Sequence, residues 1–397
     1  MGGTAVLDRT TRVPERDRSG WRSIAVLGVG AFAIGTDMFV VAGILGGIAG
    51  DLGVTVGAAG LTVTVFALGY AMGAVVLSAL LGSLPLRQAL IGSVALFGVL
   101  NVLSAVAPTL PALLVARVLG ALAASVYVPA AGAAAVAAMP ASHRGRALGM
   151  ILGCTSTAMV LGAPLGVLLA SKLSWRAAFG LVAVLAAATV IGLLLTRVGT
   201  GPLIRATVRE RLRPIRTPGV VGALGVTFLV MTASYSMYTY LPLLLATAAG
   251  PLGLGLFIGA FGVGGMVGTW WAGTAADRRG PRGVVLSAVA ALAVGFAALP
   301  YTATTVAGAL AVMIGWGIAA WGLIPAQQHR LIGLAAGSAP LVLALNSSAV
   351  QLGCAAGALF GGLVVDTFGA DRLWMIAVAC CGAALAVHGI LAREVRT

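Results

Sequence analysis

Twelve apolar runs, each long enough to cross a lipid bilayer as a helix, constrain the fold of this 397-residue chain most strongly. A bilayer core of roughly 30 Å needs about 20 helical residues. Only 9% of the residues are charged, whereas soluble domains carry about 25%. A helix satisfies its own backbone polar groups in lipid, and the alternating segments of a membrane β-barrel are absent. The sequence therefore predicts an all-α membrane protein with twelve transmembrane helices, and it excludes a soluble enzyme or a nucleic-acid-binding protein.

The basic residues are distributed unevenly among the loops. Of the 24 Lys and Arg residues, 20 lie in the two tails and in the loops that share their side of the membrane. Three others, Lys172, Arg176 and Arg372, lie on the opposite side, and Arg117 lies within a run. Because cytoplasmic loops carry an excess of Lys and Arg, we expect both termini in the cytoplasm and the chain in the plasma membrane. These loops account for the net charge of +14 without an acidic partner, and they can contact anionic lipid.

The longest polar stretch, Arg197–Pro218, divides the chain in two and contains six Arg and three Pro. The predicted organisation is a cytoplasmic tail (1–22), a six-helix bundle (23–196), a basic cytoplasmic linker (197–219), a second six-helix bundle (220–391) and a short tail (392–397). This organisation resembles that of the major facilitator superfamily, in which two six-helix halves are related by an axis along the membrane normal. We therefore predict a major facilitator fold.

One acidic residue lies well inside an apolar run. Nine of the ten acids lie in the tails, in the linker or at the ends of runs, and the exception is Asp37. It follows Arg22 by 15 residues and precedes Asp51 by 14, which at about 1.5 Å per residue puts it near the bilayer midplane. An ionised carboxylate costs about 2.5–3.5 kcal/mol there, so it must face water, pair with a cation or take up a proton. We interpret Asp37 as a proton carrier, and the alternative is a permanently neutral acid that packs two helices.

Arg117 is the basic residue within a run, in the fourth of the twelve. It cannot lose its charge, so it needs an acceptor or water. A direct pair with Asp37 is one hypothesis, and a structural cap on nearby carbonyl groups is the other.

Several segments resemble motifs of one superfamily branch, the twelve-span drug:proton antiporters of bacteria, especially the chloramphenicol-resistance-like exporters. Gly35–Val40 is similar to that branch's G-T-x-E/D-F motif, Arg117–Gly120 to its R-x-x-x-G motif, and Gly162–Gly166 to its antiporter motif in span five. The resemblance implies export by alternating access, with Asp37 coupling transport to protons and Arg117 modulating it. It also implies that Gly162, Pro164 and Gly166 act in the conformational change.

A loop motif of the same family, G-x-L-A-D-R-x-G-x-R, is nearly complete in the second half. Its matching residues are Gly273, Ala276, Asp277, Arg278, Gly280 and Arg282, whereas Gly82 and Ser83 mark a decayed first copy. In the family this loop latches the cytoplasmic gate, so the resemblance implies that Asp277 pairs with Arg144 or Arg146. The decayed copy implies that an inward-open state is easily reached. The alternative for Asp277 is an ordinary exposed charge.

Small residues recur at helical spacing in two later runs. They are Gly353, Gly357 and Gly361 in the eleventh run and Gly264, Gly265 and Gly268 in the eighth. Small residues at this spacing let helices approach closely within a membrane. Pro164 frees a carbonyl and bends the fifth run. We expect a closely packed seam between two moving halves, and the alternative is a static bundle.

Polar and aromatic side chains within the runs are candidates for lining a substrate cavity. They are Tyr127, Thr155, Tyr235, Tyr238, Tyr240, Trp316, Asn346 and Gln351. Apolar and aromatic walls with a few hydrogen-bonding groups suit small ligands that carry little charge. Each of these side chains could instead face lipid or a neighbouring helix.

The chain has no phosphate-binding loop and no catalytic or metal-ligating cluster. We therefore predict a transporter, not an enzyme, that needs neither metal nor cofactor, binds no nucleic acid and functions as a monomer. It would export a small, largely apolar compound, drug-like or a secondary metabolite, in exchange for protons. The alternatives are a sugar or other metabolite exporter of the same fold and a receptor or assembly protein that does not transport.

Overall fold

The computed structural model describes residues 15–80, 84–196, 208–249 and 253–394. Twelve helices in these ranges are long and apolar enough to cross a membrane. The first six are α1 (Glu15–Leu52), α2 (Val56–Leu80), α3 (Leu86–Ala105), α4 (Leu110–Ala137), α5 (three consecutive segments, Arg144–Thr157, Ala158–Gly162 and Ala163–Lys172) and α6 (Trp175–Leu195). The second six are α7 (Val220–Tyr238), α8 (Leu254–Arg279), α9 (Pro281–Thr302), α10 (Val306–Leu334), α11 (Ala339–Phe368) and α12 (Leu373–Glu394).

Local signals explain several helix ends. Thr305 caps α10, because its hydroxyl accepts a hydrogen bond from the Gly308 amide at 3.1 Å. Ser174 caps α6 in the same way, through the Arg176 amide at 3.1 Å. Gly280 joins α8 to α9 with a φ of 80°, a left-handed conformation that favours glycine.

Helical structure occurs in two polar segments that hydropathy does not predict as spans. α1 begins at Glu15, inside the predicted tail, and continues through Arg22 into the first apolar run. Arg and Glu are good helix formers, and nothing in the polar segment ends the helix. Within the predicted linker, Val208–Leu212 and Arg213–Arg216 form short helices. The rest of that linker, like Gly82 and Ser83, lies outside the described residues.

The spans alternate in direction, which defines two faces of the bundle. We call the face that carries Glu15 and Glu394 the terminal face and the opposite one the far face. A large apolar core runs through the far side and the middle and, in the second half, reaches the terminal ends of α8 and α9. A second core, which includes Phe97 and Tyr127, lies within the first half near the terminal face.

α5 and α8 pack against each other from the middle of the bundle to the far face. A Cβ atom on Gly255 would lie 3.4 Å from the Pro164 carbonyl oxygen, and one on Gly262 would lie 2.9 Å from the Val160 Cα. Gly259 also faces Pro164. The two halves are therefore closed against each other at the far face.

The same two helices diverge toward the terminal face. A Cβ atom added to Gly149 or Gly153 on α5, or to Gly273 on α8, would meet no atom of another helix within 4 Å. Trp270 and Trp271, on the same end of α8, are 74% and 49% exposed. The conformation is therefore closed at the far face and open between α5 and α8 at the terminal face.

Most glycines of the two stripes in the second half contact helices of that same half, contrary to the expectation of a seam between the halves, although Gly265 also lies against the Met159 side chain of α5. Gly353 and Gly357 of α11 lie against the backbone of α7, and Gly264 and Gly268 of α8 lie against the backbone of α10. These pairs of helices belong to the same half. The stripes therefore bring neighbouring helices of one bundle together, because glycine has no side chain to keep the two backbones apart.

Candidate functional site

Asp37 and Arg117 form a direct ion pair in the middle of the first half. The Arg117 Nη1 atom lies 2.6 Å from Asp37 Oδ1 and 2.7 Å from Oδ2. Asp37 is 0% exposed and Arg117 is 3% exposed. The pair as a whole carries no net charge, so its burial costs less than burial of either ion alone. This geometry favours the ion-pair hypothesis over a cap on carbonyl groups.

Two aromatic rings hold the Arg117 guanidinium. Its central carbon lies 4.2 Å from the centre of the Phe66 ring and 5.4 Å from that of Phe179. Both distances allow a cation–π interaction. The Nε atom of Arg117 is buried without a hydrogen-bond partner, so the guanidinium has an unused donor at this atom.

The antiporter-motif glycines of α5 position the helix that carries Asp37. Gly162 lies directly against the Thr36 side chain, and Gly166 packs against Val40, both on α1. Thr36 donates a hydrogen bond to the Phe32 carbonyl at 2.8 Å, so its polar group is satisfied within α1. Pro164 points the other way, toward α8. The motif thus serves two contacts, with α1 in its own half and with α8 in the other.

A small cavity separates the ion pair from the second half. It is lined by Met38, Val63, Phe66, Ala67, Arg117, Tyr235, Gln351 and Cys354. Tyr235 and Gln351, two of the predicted cavity residues, therefore face Arg117 from α7 and α11.

An aromatic cluster lies beside this cavity and joins the two halves. Tyr238 donates a hydrogen bond to the Phe39 carbonyl at 3.2 Å, and its ring centre lies 5.1 Å from that of Phe261. The Trp316 ring lies 5.3 Å from Phe261, and its Nε1 atom is buried without a partner. Phe39 follows Asp37 by two residues, so α1 carries both the ion pair and the cluster.

Three of the predicted cavity residues lie elsewhere. Tyr127 is fully buried between α4 and α1, where it donates a hydrogen bond to the Leu27 carbonyl at 3.1 Å. Tyr240 is fully buried at the far face and donates to the Ala358 carbonyl at 2.7 Å. Asn346 accepts from Thr227 at 2.9 Å inside the second half. Each satisfies its polar group against a neighbouring helix, so none lines the cavity beside Arg117.

Thr155 lies on α5 next to the ion-pair helix. Its hydroxyl is 3.4 Å from the Ile151 carbonyl, and its backbone oxygen faces Gly35 of α1. Its side chain is partly exposed. It therefore lies on the part of α5 that leads toward the opening between α5 and α8.

The chain's family follows from a comparison with known proteins. A family model described as Major Facilitator Superfamily matches residues 27–358. The chain belongs to the major facilitator superfamily.

Similar members of the superfamily include transport and resistance proteins. The chain is 30% identical over 345 residues to the inner membrane transport protein YdhP of Escherichia coli (strain K12), covering 86% of the chain and 88% of that protein. It is 34% identical over 345 residues to a chloramphenicol resistance protein of Streptomyces lividans, covering 84% and 86%. This twelve-span membrane protein is therefore a major facilitator transporter with a small-molecule substrate.

A solved structure confirms the predicted fold. A bacterial homologue of the human lysosomal transporter Spinster, crystallised in an inward-facing and unoccupied conformation, gives a TM-score of 0.75 at 15% identity. The match covers 96% of this chain and 98% of the other.

The structure describes only some of the side chains in the superfamily loop motif between α8 and α9. Arg278 and Arg282 are exposed, whereas the side chain of Asp277 lies outside the described residues. Arg144 donates to the Met139 carbonyl at 3.4 Å, and the Arg146 guanidinium lies 5.3 Å from the Trp21 ring. Both arginines therefore have partners within the first half, and their pairing with Asp277 stays a prediction.

At the far face, Asp366 of α11 links the two halves. It accepts hydrogen bonds from the Thr55 hydroxyl at 2.7 Å and from the Gly57 amide at 3.1 Å. Thr55 in turn accepts from the Ala58 amide at 3.0 Å. A carboxylate from one half thus caps the N-terminus of α2 in the other, where negative charge is stabilising. In the sequence, Asp366 is one of the nine acids outside the interior of a run, and no local pattern reveals its partners in the other half.

Asp366→Ala is expected to open the far face more often. The lost contacts are exposed or only partly buried and contribute about 1 kcal/mol, which corresponds to about a fivefold increase in the open population. The measurement is the rate at which a maleimide labels a cysteine introduced at Ala59, which is buried one turn into α2.

Asp51→Ala is the matched control for this experiment. Asp51 is also a far-face acid, but it pairs with Trp175 and Arg176 inside the first half. Its loss should leave the labelling rate of Ala59→Cys unchanged. Equal rates for wild type and Asp366→Ala would contradict the assignment of Asp366 to a contact that closes the far face.

Proposed function

We propose that this transporter exports a small, largely apolar compound in exchange for protons, with its terminal face in the cytoplasm of the cell. The observation that carries the proposal is the buried pair of Asp37 and Arg117. Asp37 is the acid that lies deep within a span. An ionised carboxylate at that depth needs a cationic partner, and Arg117 is that partner.

Proton uptake by Asp37 would change the balance of charge in the site. Arg117 stays charged at every physiological pH, so a proton on Asp37 leaves the guanidinium without its counter-ion. Removing one partner of a buried ion pair typically costs about 3–5 kcal/mol. Protonation therefore favours any rearrangement that gives Arg117 water or another acceptor. Since the pair is sealed in this conformation, exchange with either compartment requires such a rearrangement.

The aromatic cluster suits the proposed substrate class. Tyr238, Phe261 and Trp316 present apolar rings, while Gln351 and the unpaired Trp316 Nε1 offer a few hydrogen bonds. Such a mixture binds small ligands of low charge. The names of the chloramphenicol-related relatives support the same class.

The distribution of basic residues supports the orientation. The loops and tails on the terminal face carry most of the Arg and Lys, which favours the cytoplasmic side. An opening between α5 and α8 at that face would admit the compound from the cytoplasm or the adjoining leaflet. We propose a monomer in the plasma membrane as the functional unit, because the pair, the cavity and the cluster are all formed within one chain.

The proposal is tested by transport in proteoliposomes that contain the purified protein and an imposed pH gradient. Chloramphenicol serves as the first probe compound, followed by a set of apolar compounds of similar size. We expect a compound to accumulate in the more acidic compartment and to lose its gradient when an ionophore collapses the pH difference. Accumulation that is insensitive to the pH gradient would overturn proton exchange.

A further inference from the structure

Gln351 is a polar side chain of the second half that borders the cavity beside Arg117. It lies near the middle of α11 and is only 5% exposed. Its side-chain amide forms no hydrogen bond with the residues that the structure describes. A buried amide normally has a hydrogen-bond partner, because an unpaired one loses its hydration without compensation. Its place beside a cation therefore indicates a partner at another stage of transport.

Arg117 has hydrogen-bond donors that Asp37 does not use. Both of its bonds to Asp37 come from a single nitrogen, Nη1, at 2.6 and 2.7 Å, whereas a bidentate arginine–carboxylate pair uses two nitrogens. The Nε atom is buried without a partner. The Phe66 ring, 4.2 Å from the guanidinium carbon, attracts the cation but offers no oxygen. The guanidinium can therefore engage a second acceptor, and it needs one whenever Asp37 loses its charge.

The cavity brings the Gln351 amide within reach of this guanidinium. A volume of about 10 Å³ holds about one water molecule, so a small side-chain rotation closes the gap. The second half also contributes the Tyr235 hydroxyl and the Cys354 thiol, which make a hydrogen-bonding contact with each other. The Gln351 carbonyl oxygen has two lone pairs and no such contact in the described residues. It is therefore the better acceptor for Arg117.

Gln351 lies on the side of α11 that faces the first half. Gly362 follows it by 11 residues, about three helical turns, so the two share one side of the helix. A Cβ atom on Gly362 would lie 3.0 Å from the Gly57 carbonyl oxygen of α2, and Asp366, one turn further, caps α2. The same side of α11 thus contacts the first half at the far face and borders Arg117 in the middle of the bundle.

We propose that the Gln351 carbonyl oxygen accepts a hydrogen bond from the Arg117 guanidinium once a proton occupies Asp37. This inference rests on the proposed function, because it takes Asp37 as the proton carrier. Gln351 gains or loses no proton itself, so it is a positioning residue. Its bond to Arg117 joins α4 of the first half to α11 of the second, and a change of charge in one half thereby reaches the other. A substrate cannot use the same oxygen at the same time, which disfavours simultaneous binding of proton and substrate.

The test is an infrared titration of purified full-length protein in detergent over a series of pH values. A protonated carboxyl group has its own C=O stretching band, and the Asp37 band is the one that Asp37→Asn removes. Without Gln351 as an acceptor, protonation of Asp37 leaves Arg117 without a partner and therefore requires a lower pH. We expect Gln351→Met to lower the midpoint of the Asp37 band by about one pH unit, since a hydrogen bond to a charged group changes an equilibrium by about tenfold or more.

The other titratable groups at this cavity do not mask the titration of Asp37. In the described part of the chain they are Tyr235 and Cys354, whose ordinary pKa values of about 10 and 8.5 lie above the range in which a carboxyl group titrates. α2 and α6 turn phenylalanine rings toward the guanidinium, and Arg117 stays charged throughout.

Met38→Leu is the matched control, because it changes an apolar wall of the same cavity at nearly constant volume. It should leave the midpoint unchanged. Gln351→Met keeps an unbranched side chain and removes no hydrogen bond recorded in the described residues, so we expect it to fold. Gln351→Leu decides the matter if it does not. Tyr235→Phe, which removes the neighbouring hydroxyl, should lower the midpoint less than Gln351→Met.

The outcomes separate this inference from the proposed function. Equal midpoints for wild type and Gln351→Met would overturn the role of Gln351 and leave Asp37 as the proton carrier. A larger shift in Tyr235→Phe than in Gln351→Met would assign the acceptor to Tyr235 instead. A wild-type protein without a titrating Asp37 band would refute the proton carrier, and with it both the proposed function and this inference.

Discussion

Asp37→Asn is expected to abolish the accumulation of substrate by a pH gradient while leaving exchange of substrate across the membrane intact. The amide has the same shape and can still accept a hydrogen bond from Arg117, but it cannot carry a proton. For one-for-one exchange, one pH unit supports about a tenfold concentration ratio, and the variant should bring that ratio to about one. The ratio is measured in proteoliposomes after imposing a defined gradient.

Two comparisons make this experiment decisive. Asp371→Asn removes an exposed carboxylate near the far face and should leave the concentration ratio as in wild type. Counterflow of labelled against unlabelled substrate should persist in Asp37→Asn, which separates lost coupling from lost folding. A tenfold ratio in Asp37→Asn would refute Asp37 as the proton carrier.

Gly357→Ala is expected to destabilise the second half strongly. A methyl group there would lie 2.5 Å from the Thr232 carbonyl oxygen and 2.8 Å from the Ser236 amide nitrogen of α7. Both atoms belong to backbone, so relief requires the two helices to separate. Overpacking of this kind costs about 1–3 kcal/mol or more, and we expect the melting temperature in detergent to fall by about 5 °C.

Gly382→Ala on α12 controls for the effect of alanine on helix formation. Its added methyl group would meet nothing within 4 Å, so it should be neutral or slightly stabilising, as expected for alanine in a helix. A melting temperature for Gly357→Ala equal to that of Gly382→Ala would contradict the close contact of α7 and α11.

Hydropathy and charge were sufficient to predict the number of spans and the major facilitator fold, because bilayer thickness limits helix length directly. They also identified Asp37 and Arg117 as unusual, since each ion stands out against an apolar run. Their contact was not predictable, because depth along a helix can be counted from the sequence whereas rotation about its axis depends on packing. For this reason the pair was one of two hypotheses for Arg117.

The direction of side chains also explains why some predicted cavity residues lie away from the ion pair. Tyr127 and Tyr240 are polar aromatic residues within or beside spans, which fits a cavity wall as well as a buried hydrogen bond to a neighbouring helix. The glycines of α8 and α11 indicated close contact, but a glycine pattern does not specify the partner. Asp366 was missed because its partners, Thr55 and Gly57, lie about 310 residues away in the other half.

The π-helical turn Ala158–Gly162 in α5 has a consequence for how one helix serves two bundles. An extra residue in a turn shifts the angular phase of everything that follows by about 100°, since an α-helix advances by that angle per residue. Deleting one residue from this turn would rotate the following part of α5 about its axis. Gly162 and Gly166 would then no longer face α1, and Pro164 would no longer face α8. The surplus residue thus sets the angular register in which α5 keeps contact with α1 on both sides of the turn while Pro164, after the turn, meets α8.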